Sequence, residues 1–184
     1  MSSLFTIPNI LGFFRIISAP LVALLVLEGN YQAAFWLFVV AGLSDAIDGP
    51  IARRMKIANR FGLFLDPIAD KLLVNAAYLS VAFAGLLPLW VALLVFSRDA
   101  LIAACFAVST LTAREVVVDP VRLSKANTGL QILLVALVLG GVAFDLPLAN
   151  VIGVLSAVVA VTTTLSGLIY FARWLDSFSK GRLK

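Results

Sequence analysis

Histidine is absent from this 184-residue chain, and cysteine occurs once. The first absence removes the commonest general base and leaves carboxylates or lysine for proton transfer near neutral pH. The second excludes an internal disulfide; Cys105, in the middle of an apolar run, reads as a packing residue. Charge is scarce too: 13% of residues are charged and ten are acidic, against 62% hydrophobic. Mean hydropathy is +1.07. Several apolar runs approach the ~20 residues that a bilayer crossing needs, so the chain reads as an integral membrane protein of one domain, residues 1–184. The net charge of +4 would suit nucleic acid as a partner, but the positions of the charges mark membrane topology instead.

Six apolar stretches follow one another: 9–27, interrupted by Arg15; 31–48; 61–84; 89–110; a fifth after Lys125 that ends near Phe144; and 151–171. Residues 1–7 form a short mixed segment suited to the interface. The central Arg15 and the lack of a small-residue cleavage site argue against a cleaved signal peptide. The turns at 28–30, 85–88 and 145–150 carry no Lys or Arg, whereas the 50–60 connector, the 111–125 loop and the C-terminal tail carry nearly all of them. The positive-inside rule makes the basic side cytoplasmic. The expected fold is therefore all-α, with six transmembrane helices and both termini in the cytoplasm. The absence of a transit-peptide-like leader points to a bacterial inner membrane, although a mature organellar protein would look the same.

Four of the ten acidic residues fall between positions 45 and 70, as Asp45 and Asp48 in one span and Asp66 and Asp70 in the next. Spacings of three and four put each pair on one helix face. Carboxylates in an apolar helix are costly unless neutralised, and hard divalent cations are what oxygen pairs hold. The short connector makes the two spans neighbours, so the pairs are expected to converge near the cytoplasmic surface as a site for two divalent metal ions. The second span is expected to end near Asp48, where its dipole disfavours the first pair, while the start of the third favours Asp66. Gly49, Ala52 and Gly62 are small residues where a nucleotide diphosphate would need close approach, and Arg53 is placed to pair with phosphate. Taken singly, Gly49 and Ala52 suit helix packing equally well, and Arg53 suits a positive-inside charge. Pro50 is expected to kink the span just past the pair.

The pattern Asp45-x2-Asp48-Gly49-x2-Ala52-Arg53-x8-Gly62-x3-Asp66-x3-Asp70 resembles the signature of the CDP-alcohol phosphotransferase family at every defined position. The resemblance implies a six-helix, homodimeric membrane enzyme that moves a phosphatidyl group from CDP-diacylglycerol to an alcohol and releases CMP. It implies that Asp45, Asp48 and Asp66 hold one metal, Mg2+ or Mn2+, and that Asp45, Asp66 and Asp70 hold a second. Asp70 would also be the general base, with Gly49, Ala52, Arg53 and Gly62 on the CDP moiety. With no histidine and no activated Ser or Cys nearby, direct displacement is expected rather than a covalent intermediate.

Two further stretches, 87–104 with Ser97-Arg98-Asp99 and 123–131 with Lys125, Asn127 and Gln131, resemble the CMP-forming cardiolipin synthase branch of that family, whose acceptor is phosphatidylglycerol. The phosphatidylglycerophosphate synthase branch, with glycerol 3-phosphate as acceptor, tends to carry Arg-Glu in place of Arg98-Asp99. Arg15, Arg98 and Lys125 are candidates for the acceptor's phosphate. Arg98 is equally suited to neutralisation by Asp99, and Lys125 to snorkelling. Asn127 and Gln131 share a helix face and suit interhelical hydrogen bonds. Lys71, after Asp70, would tune it or reach a phosphate. Two other classes fit less well. A cation transporter would spread its acidic groups through the membrane and often carry an internal repeat, and an aspartate-rich prenyltransferase would need two separated acidic motifs.

Overall fold

The computed structural model describes the backbone of residues 7–55, 60–112 and 122–180, and within it the side chains of 12–44, 69, 71–112 and 123–179. Among the described residues six helices follow in order: α1 (Ile7–Leu27), α2 (Tyr31–Met55), α3 (Arg60–Phe83), α4 (Leu89–Leu111), α5 (Arg122–Ala143) and α6 (Ala149–Lys180). Of these, α4, α5 and α6 are long and apolar enough among the described residues to cross a membrane; the corresponding apolar stretches of α1, α2 and α3 are shorter.

Helix ends follow from local chemistry. α1 stops at Gly29, whose φ of 77° is the left-handed value that glycine adopts without a Cβ clash. The Gly29 N–H donates to Val26 O and the Asn30 N–H to Leu25 O, the paired bonds that close orphan carbonyls at a helix end. Asn30 then opens α2, its Oδ1 accepting from the Ala33 N–H at 3.3 Å. The same closure recurs after α3, where Gly85 has φ 75° and donates to Ala82 O while Leu86 donates to Val81 O. After α5 the left-handed position is Asp145, with φ 49°.

Two elements overrun their expected ends. α2 continues through Gly49-Pro50 to Met55 instead of stopping near Asp48. Residues 51–55 include Ala, two Arg and Met, which favour helix, and membrane helices tolerate Gly and Pro better than soluble ones. α6 begins at Ala149 and runs through the basic tail to Lys180, well past the expected end near Phe171. The expected interfacial segment, the middle of the connector and most of the 111–125 loop lie outside the described residues.

The chain divides into two compact units, Met1–Leu89 with Val135–Ala149 and Trp90–Leu134 with Asn150–Lys184. In the first, α1 packs against both α3 and α2. Its buried residues recur at three- and four-residue intervals: Ser18, Val22 and Val26 on α1; Ala34, Phe38 and Ala41 on α2; Ala69, Leu73, Ala77 and Val81 on α3. Alanines on α2 and α3 let the helix backbones approach closely. In the second unit Val91, Val95 and Cys105 of α4 and Val159 of α6 are buried, and Cys105 is free, as expected. Outward positions are apolar in both units, including Leu24, Leu43, Phe83, Leu93, Phe106 and Leu168. Such faces are costly in water and at ease in hydrocarbon.

Candidate functional site

The four signature aspartates lie on two helices of the first unit, Asp45 and Asp48 on α2 and Asp66 and Asp70 on α3. Their side chains, and those of Gly49, Ala52, Arg53 and Gly62, are outside the described set; their backbone is helical. Helical spacing keeps each pair on one face. The connector joins the two helix ends, so depth can be counted from there. Asp48 lies seven residues before Met55 and Asp66 six after Arg60, about 10 Å along each helix. Asp45 and Asp70 each lie ten residues in, about 15 Å. The two pairs therefore sit at matching heights.

This placement changes the electrostatics expected from the sequence. Neither pair is at a helix end, and the macrodipole acts mainly within the last turn. It neither penalises Asp45 and Asp48 nor favours Asp66, so compensation must come from side chains or bound cations. α1 supplies one compensating charge. Arg15 is fully buried, with 0% of its surface exposed. Counted from the 28–30 turn, it lies about 18 Å along α1, and Asp45 about 21 Å along α2. Lys71, half-buried on α3 next to Asp70, is a second. Arg15 and Lys71 are the cations that the described side chains of α1 to α3 set against the four carboxylates. An all-oxygen donor set fits hard divalent cations.

The second unit treats its charge differently. Arg98, 5% exposed at the middle of α4, donates from Nη1 to Asp99 Oδ1 at 2.8 Å. Nη2 donates to Ser166 Oγ of α6 at 3.0 Å and to Ser124 Oγ of α5. The expected neutralisation by Asp99 is thus present, and two serines add to it; the Nε–H is buried without an acceptor among the described residues. One turn further along α5, Asn127 Oδ1 accepts from Thr163 Oγ1 at 3.0 Å and from Thr162 Oγ1 at 2.7 Å. Gln131 Nε2 donates to Thr163 Oγ1 at 3.2 Å. Asn127 and Gln131 therefore make the interhelical bonds that their shared face predicted. Lys125 is exposed, beside Ser124 at the start of α5.

Sequence reading missed Ser124, Ser166 and the Thr162-Thr163 pair, and also Trp174, whose Nε1 donates to Ser109 Oγ at 2.8 Å. Their only signal was a small hydroxyl residue in an otherwise apolar helix. That is weak, because such hydroxyls usually bond back to their own helix, as Thr164 does to Ala160 O at 2.8 Å.

A sequence profile described as CDP-alcohol phosphatidyltransferase matches residues 5–165. The chain belongs to that family. It is 37% identical over 187 residues to the CMP-forming cardiolipin synthase of Rattus norvegicus, covering 90% of this chain and 60% of that protein. Against the human enzyme of the same name the identity is 36% over 187 residues, with the same coverage of 90% and 60%. It is 32% identical over 190 residues to the CDP-diacylglycerol–glycerol-3-phosphate 3-phosphatidyltransferase of Bacillus subtilis, covering 92% of this chain and 95% of that protein. The chain thus spans 60% of the length of the rat and human relatives.

Proposed function

We propose that the chain transfers the phosphatidyl group of CDP-diacylglycerol to phosphatidylglycerol, forming cardiolipin and releasing CMP. The observation that carries this is the height-matched placement of the four signature aspartates on α2 and α3 in a chain of the CDP-alcohol phosphatidyltransferase family. For the acceptor, support comes from the cardiolipin synthases at 36–37% identity against 32% for the Bacillus enzyme, and from the Arg98-Asp99 pair.

Asp45, Asp48, Asp66 and Asp70 would hold two divalent ions, Mg2+ or Mn2+, which offset negative charge on the phosphoryl oxygens when bound. Gly49, Ala52 and Gly62 give the CDP moiety close access to the helix backbone, and Arg53 holds its diphosphate bidentately. Asp70 takes the proton of the acceptor hydroxyl. That oxygen bonds to the diacylglycerol-bearing phosphorus as the bond from phosphorus to the CMP oxygen breaks. Arg15 contributes fixed positive charge at the depth of Asp45, and Arg98 and Lys125 meet the acceptor's phosphodiester.

All six helices cross the bilayer in this reading. The shortest, α1 with 21 residues, is about 32 Å long against a hydrocarbon core of about 30 Å. Both termini and the basic connector are cytoplasmic, in a bacterial inner membrane, and the enzyme works as a homodimer, as the family resemblance implies. The profile match runs through both compact units, which supports one catalytic domain. The test is an acceptor competition: purified full chain, CDP-diacylglycerol and Mg2+ or Mn2+, with phosphatidylglycerol and glycerol 3-phosphate offered together and the lipid products resolved by mass. Cardiolipin is expected. Phosphatidylglycerophosphate in its place would overturn the acceptor assignment and leave the donor and the carboxylate site standing.

A further inference from the structure

In the first unit, α1 is the helix that packs against both aspartate-bearing helices. Its buried row runs through Arg15, Ser18, Val22 and Val26, in steps of three and four. A fully buried arginine therefore stands on the face by which α1 meets α2 and α3. The buried rows of those two helices continue into the aspartates. On α2, Ala34, Phe38 and Ala41 are buried, and further steps of four and three fall on Asp45 and Asp48. On α3, Asp66 lies three residues before the buried row of Ala69 and Leu73, and Asp70 four before that of Val74 and Tyr78.

Height divides the aspartates into two levels. Asp48 and Asp66 form an outer level about 10 Å from the connector, and Asp45 and Asp70 an inner level about 15 Å from it. Arg15 lies about 18 Å from the 28–30 turn, against about 21 Å for Asp45 and about 26 Å for Asp48. Along the helix axes it is thus about 3 Å from the inner level and about 8 Å from the outer one. Lys71, half-buried beside Asp70, adds to the charge at the inner level. A guanidinium keeps its proton in a protein, so the charge of Arg15 is permanent. Repulsion between like charges falls with distance and strengthens away from water. A divalent ion drawn to the inner aspartates meets that repulsion more closely than one drawn to the outer pair.

We propose that Arg15 makes the two metal positions unequal: the outer aspartates, Asp48 and Asp66, keep a resident ion, and the inner pair, Asp45 and Asp70, takes an exchangeable one. This rests on the two-ion carboxylate site of the reading above and gives α1 the task of ranking its ions. In the metal-free protein the same charge offsets Asp45 and Asp70. Arg15 therefore stabilises the metal-free protein and weakens the binding of the second ion. That opposition belongs to a counter-ion, since a residue needed for packing alone would stabilise the metal-free and metal-bound states alike.

The experiment titrates Mn2+ against the purified full chain in phosphatidylcholine nanodiscs, follows the free ion by electron paramagnetic resonance, and measures unfolding in EDTA and in saturating Mn2+. The wild type should show two classes of ion whose dissociation constants differ about tenfold or more. Arg15→Gln should tighten the weaker class about tenfold and move the tighter one less than about threefold, while Arg15→Lys keeps the wild-type ratio. Arg15→Gln should also melt below the wild type in EDTA and gain more than the wild type from Mn2+. Two measurements do not depend on the folding of that variant: the wild-type ratio itself, and the loss of the weaker class in Asp70→Asn where Asp48→Asn loses the tighter. Equal affinities in the wild type, a weaker class unmoved by Arg15→Gln, or loss of the tighter class in Asp70→Asn would each overturn the proposal and leave the carboxylate site standing. Mn2+ uptake no greater than that of an Asp45→Asn/Asp66→Asn variant would overturn the carboxylate site, and the proposal with it.

Discussion

The two compact units handle charge in the membrane in opposite ways. In the unit built around α4 and α6, Arg98 finds its counter-ion on the next residue and two serines on neighbouring helices, so the charge is answered within the protein. In the unit built around α1 to α3, four aspartates share a narrow range of heights, and among the described side chains of these helices Arg15 and Lys71 are the cations. A buried charge is tolerated only when something pairs with it. The α4 and α6 unit makes most of its pairing within the protein and leaves the Arg98 Nε–H unanswered. In the α1 to α3 unit, the proposed divalent cations would complete the pairing.

Asp70→Asn should have the largest effect. It removes the proposed proton acceptor and should slow CMP release about 10²–10⁴-fold, the usual contribution of a positioned base. A variant with near-normal turnover would show that another group takes the proton.

The next test makes the same carboxylate-to-amide change in both units without metal. Asp99→Asn strands the Arg98 guanidinium and should cost about 3–5 kcal/mol, the penalty for breaking a buried pair. Asp48→Asn relieves repulsion in the metal-free protein and should raise its melting temperature by about 2–4 °C if about 1 kcal/mol is recovered. Thermal unfolding in EDTA measures both. Destabilisation by Asp48→Asn in EDTA would break the contrast between the units.

Smaller effects test one interhelical bond in the second unit and one helix end in the first. Gln131→Leu removes a donor to Thr163 and should cost about 0.6–1.7 kcal/mol in unfolding equilibria, as membrane interhelical hydrogen bonds do. Asp145→Gly should stabilise by about 1 kcal/mol, since a non-glycine residue holds the left-handed position there. A loss of stability would mean that the Asp145 side chain makes a bond outweighing the backbone strain.

Legibility in the sequence followed the range of the physics. The turns at Gly29 and Gly85 were readable because a left-handed residue closes a helix through bonds within six residues. The aspartate pairs were readable because helical spacing puts i, i+3 and i, i+4 on one face, and Asn127 with Gln131 for the same reason. The overrun of α2 was not, since Gly49-Pro50 is a strong stop in water and a weaker one in a membrane helix. Its consequence reached the site: with α2 carried on to Met55, Asp48 moves away from the helix end and the expected dipole effect disappears. The serines that hold Arg98 come from positions 124 and 166, separations at which no local pattern operates.

The most direct test of the central claim is Mn2+ binding to the purified full chain, followed by the loss of free-ion electron paramagnetic resonance signal. The account predicts two ions per chain for the wild type, with a melting temperature that rises as they bind, and neither effect in the Asp45→Asn/Asp66→Asn double variant. Mn2+ uptake by the wild type no greater than by that variant would contradict it.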